Sequence, residues 1–174
     1  MDDVHFEVVG VDTRYWSENG GTYSDDGRYR WSYERPIGAG PPICWIGLNP
    51  GTGDREGRYR PTLQRMVDRS IALGFGRFCL VNLFAWRATK PTELRSAAKR
   101  GEDVIGERCD EAIIRASERA ELVVAAWGAH GRLLGRGAQV LDVLQKVHCL
   151  GMTARGAPRH PHYVPATQGL ERLR

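Results

Sequence analysis

A chain of 174 residues, 41% hydrophobic and 26% charged, has the make-up of one soluble domain that buries a core without disulfide or metal staples. Its formal net charge is +4, with Arg supplying nearly all the positive charge, which permits nucleic-acid binding without requiring it. The apolar runs Ile43 to Leu48 and Leu122 to Trp127 are too short to cross a bilayer, so no membrane partner is expected. The acidic start Met1-Asp2-Asp3-Val4 has no secretory pattern. Cys44, Cys79, Cys109 and Cys149 are widely separated, with no CxxC or Cys/His spacing, so the expectation is a reducing cytoplasm, no metal and no cofactor, with an iron–sulfur cluster on four converging thiolates as the lesser alternative.

Residues 1 to 40 form a polar and aromatic extension with turn residues at Gly20-Gly21, Asp25-Asp26-Gly27 and Pro36. Within it, Tyr29-Arg30-Trp31-Ser32-Tyr33 alternates as a strand does, either covering a sheet edge or lining a pocket. After Pro41-Pro42, Ile43 to Leu48 is continuously apolar, the pattern of a strand covered on both faces. Pro61 to Leu73 reads as a helix, with Pro in its first turn and Gly74 and Gly76 at its end. Phe78 to Phe84 is a second buried strand, followed by helices over Pro91 to Arg100 and Gly106 to Arg119. Leu122 to Trp127 is a third strand, Leu133 to Lys146 a helix open to a break at Gly135 and Gly137, and Val147 to Leu150 a fourth strand. From Gly151 on, the tail is loop-rich.

Strands alternating with helices predict a single α/β domain over residues 1–174, with its core at 43–165. The expected architecture has three layers, a central parallel sheet of about four strands with helices on both faces. In such sheets ligands sit beyond the carboxyl ends of the strands. The candidate site residues are therefore those that follow each strand.

Gly47-Leu48-Asn49-Pro50-Gly51 comes first. Its glycines allow close backbone approach, and the Asn49 amide can orient a water or donate to a ligand. Taken alone, the segment suits an ordinary turn better. Asn82 is a lone amide inside an apolar strand, which is expensive unless its hydrogen bonds are met, either by a base edge or by a neighbouring loop. Trp127-Gly128-Ala129-His130-Gly131 leads from a strand into a helix. There Trp127 serves packing or ligand contact, and the glycines expose backbone N–H groups suited to an anion. His160-Pro161-His162 lies in a basic loop with Arg155, Arg159 and Tyr163. His160 can stabilise a developing oxyanion or simply face solvent.

Together these four pieces resemble the uracil-DNA glycosylase superfamily. Gly47-Leu48-Asn49-Pro50-Gly51 is similar to the first motif of its mismatch-specific branch, Leu80-Val81-Asn82-Leu83 to its base-reading strand end, and His160-Pro161 to its last motif. The chain also resembles a family of small bacterial proteins to which no function is attached. The first resemblance implies a DNA glycosylase-like fold and a hydrolase that cleaves the N-glycosidic bond of a non-standard or modified base in DNA repair. In it Asn49 would orient water, Asn82 bind the base edge and His160 donate to a base oxygen. Phe84 or Trp86 would stack on the base. Gly47, Leu48, Pro50, Gly51, Trp127 and Gly128 would line the pocket. Arg155, Arg159, His162 and Tyr163 would meet a single strand or the flanks of a flipped base.

The pattern also departs from that family. Asn49 stands where an Asp would activate water, and Gly51 where a Tyr would exclude a C5 methyl. Val164 or Tyr163 stands where a Leu would wedge the duplex. The alternatives are a base-binding module without catalysis and a nucleoside or nucleotide N-glycosidase.

Overall fold

The structure, a computed structural model, describes residues 20–52 and 60–174. Among these residues the chain folds as a mixed α/β domain with a seven-stranded sheet. The strands are β1 (Gly21–Tyr23), β2 (Arg30–Pro36), β3 (Pro42–Gly47), β4 (Arg77–Asn82), β5 (Leu122–Ala125), β6 (His148–Cys149) and β7 (Glu171–Arg172), in the order β1-β2-β4-β3-β5-β6-β7. The helices are α1 (Pro61–Ala72), α2 (Pro91–Lys99), α3 (Cys109–Arg119) and α4 (Arg136–Val143). None of the helices described is long and apolar enough to cross a membrane.

The sheet is wider than the expected four strands. Its centre, β4-β3-β5-β6, pairs in parallel, and β2 and β7 close the two edges in antiparallel pairing, with β1 outside β2. The long apolar runs are the central strands, because only these are covered on both faces. The edge strands β1 and β7 are short and largely polar, so they carry no such run. Strand β2 covers the β4 edge with Tyr33 opposite Leu80 and Glu34 opposite Cys79.

Alternation along β3 divides the core. Ile43 and Trp45 face Leu63, Met66 and Val67 of α1, while Cys44 and Ile46 face the side holding Leu94 and Ala97 of α2, Ile113 and Ala116 of α3 and Val140 of α4. Pro61 starts α1 after an extended Arg60. Helix α2 starts at Pro91, where the Glu93 carboxylate accepts from the Thr89 and Lys90 amides at 2.9 and 3.2 Å. The helix expected over 133–146 is shorter. Residues Ala129–Gly135 form 3₁₀ turns, Leu133 is extended and Leu134 is left-handed (φ 54°), so α4 begins only at Arg136. The four cysteines are buried and free.

Candidate functional site

Beyond the carboxyl ends of the central strands lies a cavity of about 810 Å³. The sequence candidates Gly47, Leu48, Asn49, Pro50 and Gly51 line it from the β3 end, Asn82 from β4, Trp127 and Gly128 from β5, and Arg159, His160, His162 and Tyr163 from the loop after β6. Helix α1 contributes Thr62, Leu63 and Met66, with Arg60 just before it. Cationic and imidazole groups line the cavity at Arg30, Arg60, His130, Arg159, His160 and His162, and no described lining residue is Asp or Glu.

Three side chains in this cavity are held in one orientation. The Asn49 amide nitrogen donates to the carbonyls of Ala88 (2.8 Å) and Pro50 (3.1 Å). Both neighbours are acceptors, so the nitrogen must face them and Oδ1 is left for a water or ligand. Asn82 Oδ1 accepts from Arg30 Nη2 at 2.9 Å, which turns its nitrogen away from Arg30. A Cβ on Gly47 would come within 2.7 Å of that nitrogen, so only glycine fits beneath it. His160 Nδ1 accepts from the His162 backbone N–H at 3.2 Å, which puts the ring proton on Nε2. Burial lowers the His160 pKa to about 4, with a smaller push from His162 and His130, so the ring is neutral near pH 7.

The frame around these groups is built from long-range contacts. The Leu83 and Phe84 amides donate to the Gly47 and Leu48 carbonyls at 2.9 and 3.0 Å, tying the ends of β3 and β4 together. Behind Asn82, Cys109 Sγ approaches the Asn82 carbonyl at 3.3 Å and Arg136 Nε donates to the Leu83 carbonyl at 2.8 Å. Gly128 (φ +70°) lets β5 pass the His160 loop, since a Cβ there would meet His160 Cβ at 3.2 Å and its amide donates to the Pro158 carbonyl. From α1, Arg65 donates to the His162 carbonyl at 3.2 Å and Arg69 to those of Val164, Pro165, Ala166 and Gln168.

Some candidates lie elsewhere. Phe84 is fully buried in the core on the α2–α3 side and does not reach the cavity. The chain turns after Asn82, so the alternation that would have aimed Phe84 at a ligand ends there. Trp86 packs edge-on against Tyr29 at 5.8 Å, beneath Arg28, on a separate aromatic face. Arg155 is exposed and outside the lining. Val164 is buried (2% exposed) and cannot act as a wedge, whereas Tyr163 is 78% exposed at the rim. Trp127 is 2% exposed and mainly fills core space against Gly131 and Gly137. Arg30 was not singled out in the sequence as a site residue, yet it lines the cavity. The strand-like alternation around it was the available cue.

Residues 30–162 match the model of a family described as a protein of unknown function, DUF1643. No match to the uracil-DNA glycosylase superfamily accompanies it, and this overturns the resemblance drawn from the four motifs. Short strand-end motifs of Gly, Asn, Pro and His recur wherever a parallel sheet ends in tight loops, so their order carried less than the match over residues 30–162. Neither a curated protein nor a solved structure matches the chain.

Proposed function

The chain belongs to the DUF1643 family, so its reading starts from its own cavity, and we propose that it hydrolyses the N-glycosidic bond of a non-standard or modified nucleobase. The observation that carries this is the convergence of Asn49, Asn82 and His160 on one cavity, each pinned through its other polar atoms. Asn49 Oδ1 orients a water toward the sugar carbon. As the C–N bond breaks, its electron pair passes to the departing base, and the neutral His160 donates from Nε2 to a base oxygen that gains negative charge. Asn82 donates to the base edge. The water oxygen bonds to the sugar carbon and its proton passes to solvent, because an amide is no general base and no described lining residue is a carboxylate. Exposed Tyr163 and His162, with Arg159, suit a single strand or the flanks of a flipped base in DNA.

The test is incubation with oligonucleotides carrying uracil, hypoxanthine, xanthine or a C5-modified base. One of these yields an abasic product, and His160→Ala slows its formation about a hundredfold or more. Absence of abasic product with folded protein on all of them counts against hydrolysis. The absence of Asp and Glu among the described lining residues favours a second reading, a base-binding module without turnover. Tight binding unchanged by Asn49→Ala, with no release, marks that case.

A further inference from the structure

The Arg30–Asn82 pair has a consequence for which ligand the cavity accepts. A guanidinium has donors only, so the Asn82 atom 2.9 Å from Arg30 Nη2 is its oxygen. Arg30 is 2% and Asn82 4% exposed, so close packing holds the amide in that orientation. The Asn82 nitrogen lies over Gly47 and donates to no protein acceptor among the described residues. His160 likewise offers Nε2–H, its Nδ1 being engaged by the His162 amide. At Asn82 and His160 the cavity therefore presents hydrogen-bond donors, the Asn49 oxygen being the one assigned to the water, and Arg30 polarises the Asn82 amide so that it donates more strongly.

We infer that Arg30 acts as a specificity-determining residue by occupying the acceptor of Asn82, so that the cavity selects a base edge with a carbonyl beside an unprotonated ring nitrogen. The inference rests on the reading of the cavity as a nucleobase site. That edge occurs in a 6-oxopurine (O6 and N7) and in cytosine (O2 and N3). Adenine sets an amino group beside N7, and uracil sets an N–H beside each carbonyl, so both aim a donor at the donors of Asn82 and His160 and leave buried N–H groups unpaired. A cavity of about 810 Å³ has room for the two-ring base, and the 6-oxopurine is the assignment.

Equilibrium titration of the full chain with free hypoxanthine, adenine, cytosine and uracil tests this. Hypoxanthine binds about tenfold or more tightly than adenine or uracil. Arg30→Met frees the Asn82 amide to turn and brings adenine to within about threefold of hypoxanthine. Asn82→Asp has the same shape and still accepts from Arg30 but donates nothing. It weakens hypoxanthine about tenfold or more, and decides the matter where Arg30→Met does not fold. Adenine bound as tightly as hypoxanthine by the unaltered chain overturns the inference, as does binding of none of the bases or an unchanged hypoxanthine affinity in Asn82→Asp. Cytosine bound more tightly than hypoxanthine overturns the purine assignment. The readout is binding, so failure to release a base from oligonucleotides overturns hydrolysis alone.

Discussion

The His160 ring differs from an ordinary histidine in staying neutral well below pH 6, because burial disfavours its charged form. Protonating it would put two N–H donors face to face, because Nδ1 already accepts from the His162 amide. Its folded pKa of about 4 lies below the ordinary 6.5. Between those values the unfolded chain binds a proton that the folded chain does not, so stability falls as pH drops through this window and is constant above it. The slope from this group is at most about 1.4 kcal/mol per pH unit. Denaturant midpoints measured from pH 7.5 to 4 should fall accordingly, and His160→Gln should flatten that dependence. An unchanged slope in the variant removes His160 as its source. At this scale the places of Asn49 and Asn82 on the cavity were legible in the sequence, because a polar residue closing an apolar run marks the end of a central strand, whereas His160 was singled out only by the His-Pro pair in a basic loop. Arg30 was not. Its role needs a partner 52 positions away, and no local pattern specifies that pairing.

Helix α1 supports the site from below and from the side. Trp45 on β3 donates from Nε1 to Ser70 Oγ at 2.9 Å, and Ser70 donates to the Met66 carbonyl at 2.7 Å, so one face of α1 is fixed to the sheet. From the flank of α1, Arg69 donates to the carbonyls of Val164, Pro165, Ala166 and Gln168 in the chain that follows His160. Arg69→Ala should therefore act on the loop more than on the fold. Its expected cost is about 1 kcal/mol in stability, with faster amide exchange over 160–168 and a His160 pKa rising toward the ordinary value as water enters. NMR titration of the ring and exchange rates read both effects, and an unaltered His160 titration would show that the latch does not govern the cavity. The element scale also shows where sequence reading ended. The central strands and α1 were legible from continuous apolar runs and Pro at N1. The break before α4 was signalled by Gly135 and Gly137, but its form was not, because it depends on Leu134 adopting a left-handed backbone in a segment whose apolar spacing looks helical. The antiparallel edges were partly legible. Alternation marked β2, but β7 spans only Glu171–Arg172, too short for any pattern.

Over the whole molecule, net charge and charge placement say different things. A formal charge of +4 is modest, and by itself favours no partner. Around the cavity the balance is sharper, with Arg60 and Arg159 in the lining and no described lining residue carrying a negative charge. If a strand of DNA carries the base into the cavity, its phosphates must pass this rim and displace counterions there. Each phosphate contacted by a cation in a single strand contributes a slope of about −0.7 to log K against log salt. Contacts to Arg60 and Arg159 together then give a slope of about −1.4 for an oligonucleotide carrying the base, and Arg159→Ala reduces it by about 0.7. A free base has no phosphate, so its affinity should stay nearly flat over the same salt range. Fluorescence anisotropy of a labelled oligonucleotide, set beside titration of the free base, separates the two. A flat slope for the oligonucleotide would exclude phosphate contact at the rim and leave a free nucleoside or base as the ligand. A slope that Arg159→Ala does not change would place the contacts away from the cavity, and would break the link between the basic rim and the site that Asn49, Asn82 and His160 form.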